Sequence, residues 1–156
     1  MERLSFGWAQ PVILGEELRR PLKSISARFD HPAWRGASAV TLWRTDGSEL
    51  RIQSRMHDVA PRMEVGVLEF EVVSMADHGE QFVDLGSRFR SGLNAAKLSV
   101  IESGVVAESG VVISGENEIA IVAGAFPLTL AIRGIAFESL ASDPEYPWDD
   151  YERSEL

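Results

Sequence analysis

The chain reads as mainly β, or as a β-rich α+β domain, with antiparallel sheets in a sandwich or barrel-like arrangement and at most one or two short helices. Three observations predict this. Val and Ile are dense from Leu98 to Ile132 and are punctuated by glycine. Leu68-Glu69-Phe70-Glu71-Val72 alternates strictly between apolar and charged residues. An Asp46-Gly47 pair sits between two apolar runs, the strongest short-range hairpin signal there is.

Taken in order, Pro21 to Asp30 fits two periods. Leu22, Ile25 and Phe29 have helical spacing, whereas Ile25, Ala27 and Phe29 alternate with Ser24, Ser26 and Arg28. Its Ser and β-branched content favours a strand, and Pro32 ends it either way. Val40-Thr41-Leu42-Trp43 and Leu50-Arg51-Ile52 flank Thr45-Asp46-Gly47-Ser48. A two-residue type I′ turn there would place Trp43 opposite Leu50 and Arg44 opposite Glu49, with Trp43 in the core. That register leaves Leu42 and Val40 opposite Arg51 and Gln53, so that face is partly buried or the register differs. Met56 to Glu64, with Pro61 and several charges, reads as a connector, and Asp77-His78-Gly79 as a turn.

Gln81 to Lys97 fits a short helix, through Phe82, Leu85 and Phe89, or an irregular loop, since Gly86 and Gly92 each cost a helix about 1 kcal/mol relative to Ala. Glu102-Ser103-Gly104-Val105-Val106 recurs six residues later as Glu108-Ser109-Gly110-Val111-Val112. Two copies are too few for a solenoid and predict either two short adjacent strands or one bulged strand. Ser114-Gly115-Glu116-Asn117 turns the chain into Glu118 to Val122, and a further strand follows from Leu128 to Ile132.

The 156 residues divide into a single β-rich domain, 1–142, and an acidic, aromatic C-terminal tail, 143–156. The tail carries six carboxylates against Arg153 alone, a side-chain charge of −5 out of the chain's −9. Pro144 and Pro147 stiffen its start, and Tyr146, Trp148 and Tyr151 supply anchoring rings.

Composition excludes several classes. A net charge of −9 and a pI near 4.8 disfavour nucleic acid and favour basic protein partners. With no cysteine there is neither a disulfide framework nor a thiol nucleophile. The longest uncharged apolar stretch, Ile119 to Ile132, is broken by Gly124 and Pro127 and is too short to span a bilayer as a helix. Met1 to Gln10 lacks a secretory apolar region, so the expected location is cytoplasmic and no membrane partner is expected.

Chemistry-bearing motifs are sparse. No nucleophile elbow, His-Glu-x-x-His pair, Walker loop or dinucleotide fingerprint occurs, and no cofactor is implied. His31, His57 and His78 each adjoin an aspartate, which makes them candidates for a metal or a general base. Adjacent strand residues point to opposite faces, however, and turns recruit the same residue types. Glu69 and Glu71 share a strand face, as a solvated row of charges does.

Glu118 to Leu130, followed some fifteen residues later by Asp143-Pro144-Glu145-Tyr146-Pro147, resembles small uncharacterised bacterial proteins, some of them immunity partners of secreted toxins. The resemblance covers the last quarter of the chain and contains no catalytic signature. It implies a stand-alone domain that binds another protein.

The expected function is a non-enzymatic binding protein that meets a basic partner through Trp148, Asp149, Asp150, Tyr151 and Glu152, in its sharpest form an immunity-type inhibitor of a toxin. The alternatives are a small-molecule-binding or hydrolytic β-domain using the His/Asp residues, and a homodimeric structural subunit.

Overall fold

The computed structural model describes residues 2–8, 14–28, 36–73, 81–134 and 143–156. Two short strands, β1 (Glu2–Leu4) and β2 (Gly7–Trp8), precede a one-turn helix, α1 (Leu14–Leu18). Next come β3 (Leu22–Arg28), β4 (Ala39–Arg44), β5 (Glu49–Ala60), β6 (Met63–Val73) and β7 (Gln81–Asp84). The second half holds β8 (Asn94–Glu102), β9 (Val105–Ser114), β10 (Glu118–Ala123) and β11 (Leu130–Gly134). A 3-10 turn at Trp148–Asp150 leads into β12 (Glu152–Glu155). The chain is β-rich and built on antiparallel pairing, as its sequence predicts.

Two six-stranded sheets result. The first has the order β2-β6-β5-β4-β3-β7, and the second β11-β10-β9-β8-β12, with β1 also against β9. The N-terminal residues stitch them together. β1 runs parallel to β9 at Val105–Ala107, and β2 runs parallel to β6 at Glu69–Phe70. Between the two, the Phe6 amide donates to Glu108 Oε1 at 2.9 Å.

The main core lies between the sheets. Ile25, Leu42, Leu50, Ile52 and Phe70 meet Val111, Ile113, Ile119, Ile121 and Ile132, all at most 2% exposed. Each such side chain contributes about 1.5–3 kcal/mol of burial. Phe6 closes the seam, its ring edge-on to Phe70 at 5.2 Å. Alternation sends Leu98, Val112, Val122 and Ala131 to the outer face of the second sheet, where they form a separate buried cluster.

The Asp46-Gly47 hairpin exists in a different register from the two-residue turn. Leu42 pairs with Leu50, Val40 with Ile52 and Trp43 with Glu49. The Gly47 amide donates to Arg44 O at 3.1 Å, the Arg44 amide to Ser48 O at 3.0 Å, and Gly47 has φ +87°. A three-residue loop with a left-handed glycine moves the pairing by one position and so reverses the faces of β4 relative to β5. Leu42 and Leu50 thereby reach the core together. Trp43 is only half-buried on the other face and donates its Nε1–H to Ser26 Oγ at 2.9 Å.

Met56–Glu64 is not a connector. β5 and β6 run through it, and the turn is confined to Pro61 and Arg62, whose φ is +61°. Proline followed by a left-handed residue is the order of a type II turn. The 81–97 stretch forms β7, turns at Gly86 and Gly92 with positive φ, and the start of β8 rather than a helix. The repeated Glu-Ser-Gly-Val-Val segments take different roles. Ser103-Gly104 is the β8–β9 turn, whereas Ser109 is skipped between the pairs Leu98–Gly110 and Ser99–Glu108 and forms a bulge.

α1 is held by an ion pair across the seam. Arg44, its side chain 1% exposed, bonds the Glu17 carboxylate, and its Nη1 also reaches Glu17 O at 3.2 Å. Burial lowers the guanidinium's pKa from its usual value, against the pull of Glu17.

Candidate partner-binding surface

One end of the two-sheet body carries several turns held in left-handed conformations. Arg62 closes β5–β6, Ser103 and Gly104 close β8–β9, and Leu128 (φ +62°) lies in the loop between β10 and β11. Strained loop residues of this sort are frequent at binding sites. The 124–129 loop is closed tightly: the Gly124 amide donates to Thr129 O at 2.8 Å, and Thr129 Oγ1 donates to Phe126 O at 2.7 Å. That closure turns Phe126 and Leu128 outward, 44% and 57% exposed.

Between these turns opens a cleft of ≈ 600 Å³. Its wall carries the carboxylates of Asp58, Glu64, Glu102 and Glu145, with Arg62 as the one cation among the described residues that line it. Met63 lies on its rim, 41% exposed. Among the described residues no group of three or more His, Asp or Glu side chains is placed to hold a metal ion.

The C-terminal segment supplies one side of the cleft. The Ala125 amide donates to Asp143 O and the Glu145 amide to Ala123 O, both at 2.9 Å, which lays residues 143–145 alongside the end of β10. Both Glu145 carboxylate oxygens accept the Gly66 amide at 3.1 Å. Burial pushes this carboxyl up to about 7, opposed by the Gly66 hydrogen bond and reinforced by the charge of Glu102. Tyr146 donates its hydroxyl to Glu102 Oε2 at 3.0 Å, and its own pKa is raised, first by burial and then by that bond.

Further along, the segment covers the outer face of the second sheet. Trp148 and Tyr151 pack against the cluster of Leu98, Val112, Val122 and Ala131. β12 then pairs antiparallel with β8, Glu152 opposite Ser99 through Glu155 opposite Ala96. Arg153 reaches Glu118 at 2.8 Å and, by its hydrogen bond, lowers that carboxyl's pKa.

The sequence-derived candidates therefore separate. Trp148 and Tyr151 are half-buried against their own domain, whereas Asp149, Asp150 and Glu152 are exposed beside them. Glu69 and Glu71 share a face and stand among Arg51 and Arg55, with Arg55 and Glu69 paired at 3.0 Å. His57 lies half-buried on β5 opposite Val65. His31 and His78 lie outside the described residues.

No family model, curated protein or solved structure matches this chain. No helix among the described residues is long and apolar enough to cross a membrane.

The cleft leaves almost no mark on the sequence. Asp58, Glu64, Glu102 and Glu145 are scattered over some ninety positions, and only the meeting of separate turns with the C-terminal segment assembles them. The one available signal was the position of Asp58 and Glu64 on either side of Pro61, which a hairpin brings face to face (Asp58 pairs with Glu64).

Proposed function

We propose that this chain is a non-enzymatic binding protein that holds a basic protein partner against an acidic surface, in its sharpest form an immunity-type inhibitor that occludes a toxin. The surface runs from the cleft carboxylates Asp58, Glu64 and Glu102 along the C-terminal segment to Asp149, Asp150 and Glu152. The observation that carries the reading is the cleft itself, whose described lining holds four carboxylates, one arginine and the exposed Met63, with the exposed Phe126 and Leu128 on the loop that gives it Ala125 and Pro127. Charge of one sign speeds encounter and fixes register, while exposed apolar side chains supply the area that becomes buried.

Trp148 and Tyr151 enter this reading in a supporting role. They hold the segment on the second sheet, so the acidic side chains between and after them are presented from a fixed backbone rather than a loose tail. Pre-organisation of that kind lowers the entropy cost of binding.

The test is the association rate constant with the basic partner, measured across ionic strength. It falls steeply between about 50 and 200 mM salt, and falls again in a D149N/D150N/E152Q variant whose fold is intact. A rate and affinity unmoved by salt and by those substitutions would overturn the reading.

A further inference from the structure

Glu145 occupies an unusual position, because a titratable side chain forms the joint between the body of the domain and everything after it. Its backbone is tied to β10 through Ala123 O and its carboxylate to β6 through the Gly66 amide. Beyond it, Tyr146 bonds Glu102, Trp148 and Tyr151 lie on the second sheet, and β12 covers the edge of β8. Release of the joint removes the first of the contacts that hold that run, ahead of the Trp148 and Tyr151 packing and the β12–β8 pairing.

The surroundings favour the neutral acid. Glu102, on β8, adds its charge directly; Asp58 on β5 and Glu64 on β6 line the same cleft, and the Tyr146 and Tyr151 hydroxyls come from its own segment. Among the described residues, Arg62, in the β5–β6 turn, is the one opposing charge lining the cleft. Ser54 adds a polar neighbour, since its Oγ is buried without a hydrogen-bond partner. Ser54 Oγ and Glu145 Oε2 stand 3.1 and 3.2 Å from the point where a side chain on Gly66 would begin. A protonated Glu145 carries a donor among these oxygen acceptors; an ionised one adds a further negative charge to them.

We infer that Glu145 is a proton-controlled latch: its neutral carboxyl holds residues 143–156 against the domain, and its ionisation loosens them. The latch rests on contacts within the chain, and it stands whether or not the proposed partner is the cleft's occupant.

Hydrogen exchange of the β12 amides, followed from pH 6 to pH 8 and corrected for the intrinsic rate, tests this. With the latched carboxyl near 7 and the released one near its ordinary value, the opening equilibrium rises roughly tenfold over that interval. Glu145→Gln removes the pH dependence, and Glu102→Gln moves its midpoint to lower pH. Protection independent of pH in the native chain, or an equal loss in Glu145→Gln, would overturn the latch. Should Glu145→Gln fail to fold, the midpoint of Glu102→Gln decides: a downward shift supports the latch and an unmoved midpoint overturns it.

Discussion

The guanidinium of Arg133, on β11, lies over the ring of Trp148 at 5.5 Å from its centre. This contact, with the packing of Trp148 and Tyr151 on Val112, Val122 and Ala131, fastens the C-terminal segment to a face the sheet would otherwise expose. Trp148→Ala therefore costs about 1–3 kcal/mol, of which the cation–π contact supplies about 0.5–1 kcal/mol. Urea denaturation measures the first figure. The double-mutant cycle of the native chain, Arg133→Ala, Trp148→Ala and Arg133→Ala/Trp148→Ala isolates the second.

Removing residues 143–156 has a further consequence. It uncovers both the edge of β8 and the apolar outer face of the second sheet. An open strand edge beside an apolar face is a template for pairing with another copy. The truncated chain is expected to self-associate in light scattering at concentrations where the full chain does not.

Gly66 has no room for a side chain. A Cβ there would lie 2.4 Å from Ala123 Cβ and 3.2 Å from Glu145 Oε2. Gly66→Ala must push β6 away from β10 and displace the latch carboxylate, at a cost of about 1–3 kcal/mol. Gly47→Ala provides the contrast. Nothing lies within 4 Å of its Cβ, so only the left-handed φ of +87° is penalised, by about 1 kcal/mol. Thermal unfolding of the two variants should rank them in that order.

The Arg44–Glu17 pair is buried and incompletely satisfied, with Arg44 Nε and Nη2 lacking partners. Glu17→Ala leaves the guanidinium without its counter-charge and costs about 3–5 kcal/mol. Replacing both partners with apolar residues, as in Glu17→Leu/Arg44→Met, removes the desolvation cost as well and is expected to lie near the native stability. Chemical denaturation of the single and double variants checks the non-additivity.

Much of the fold was legible in the sequence where period and turn chemistry agree. Glu69 and Glu71 share a face of β6, Gly124 and Pro127 do separate two strands, and Ser114 to Asn117 does turn the chain. Errors arose where one residue changes the parity. The extra loop residue at the Asp46-Gly47 turn put Leu42 on the core face in place of Trp43, whereas the bulged strand expected over the repeat is present, with its bulge at Ser109. The charged run of Met56 to Glu64 was opaque for another reason: a two-stranded ribbon with exposed sides needs no apolar alternation. The cleft was illegible because its carboxylates meet only through tertiary contacts, and Glu145 in particular is defined by the amide of Gly66, 79 residues away.

Global stability should follow the sign set by Glu145. Its carboxyl is raised in the folded state to about 7, so the folded chain binds the proton more tightly than the unfolded one. The contribution is fully present below the unfolded value of about 4.5 and is lost as pH rises towards and through 7. Melting temperatures across that window decline in the native chain, and Glu145→Gln removes the part of the decline that this carboxyl causes.

The acidic cleft is most directly tested by capturing the partner with the tagged native chain and with a D58N/E64Q/E102Q variant, side by side. One basic protein is expected at equal stoichiometry on the native chain, eluted by about 0.5 M salt and absent from the folded variant. Equal capture by both chains, or a folded native chain that retains nothing, would contradict it.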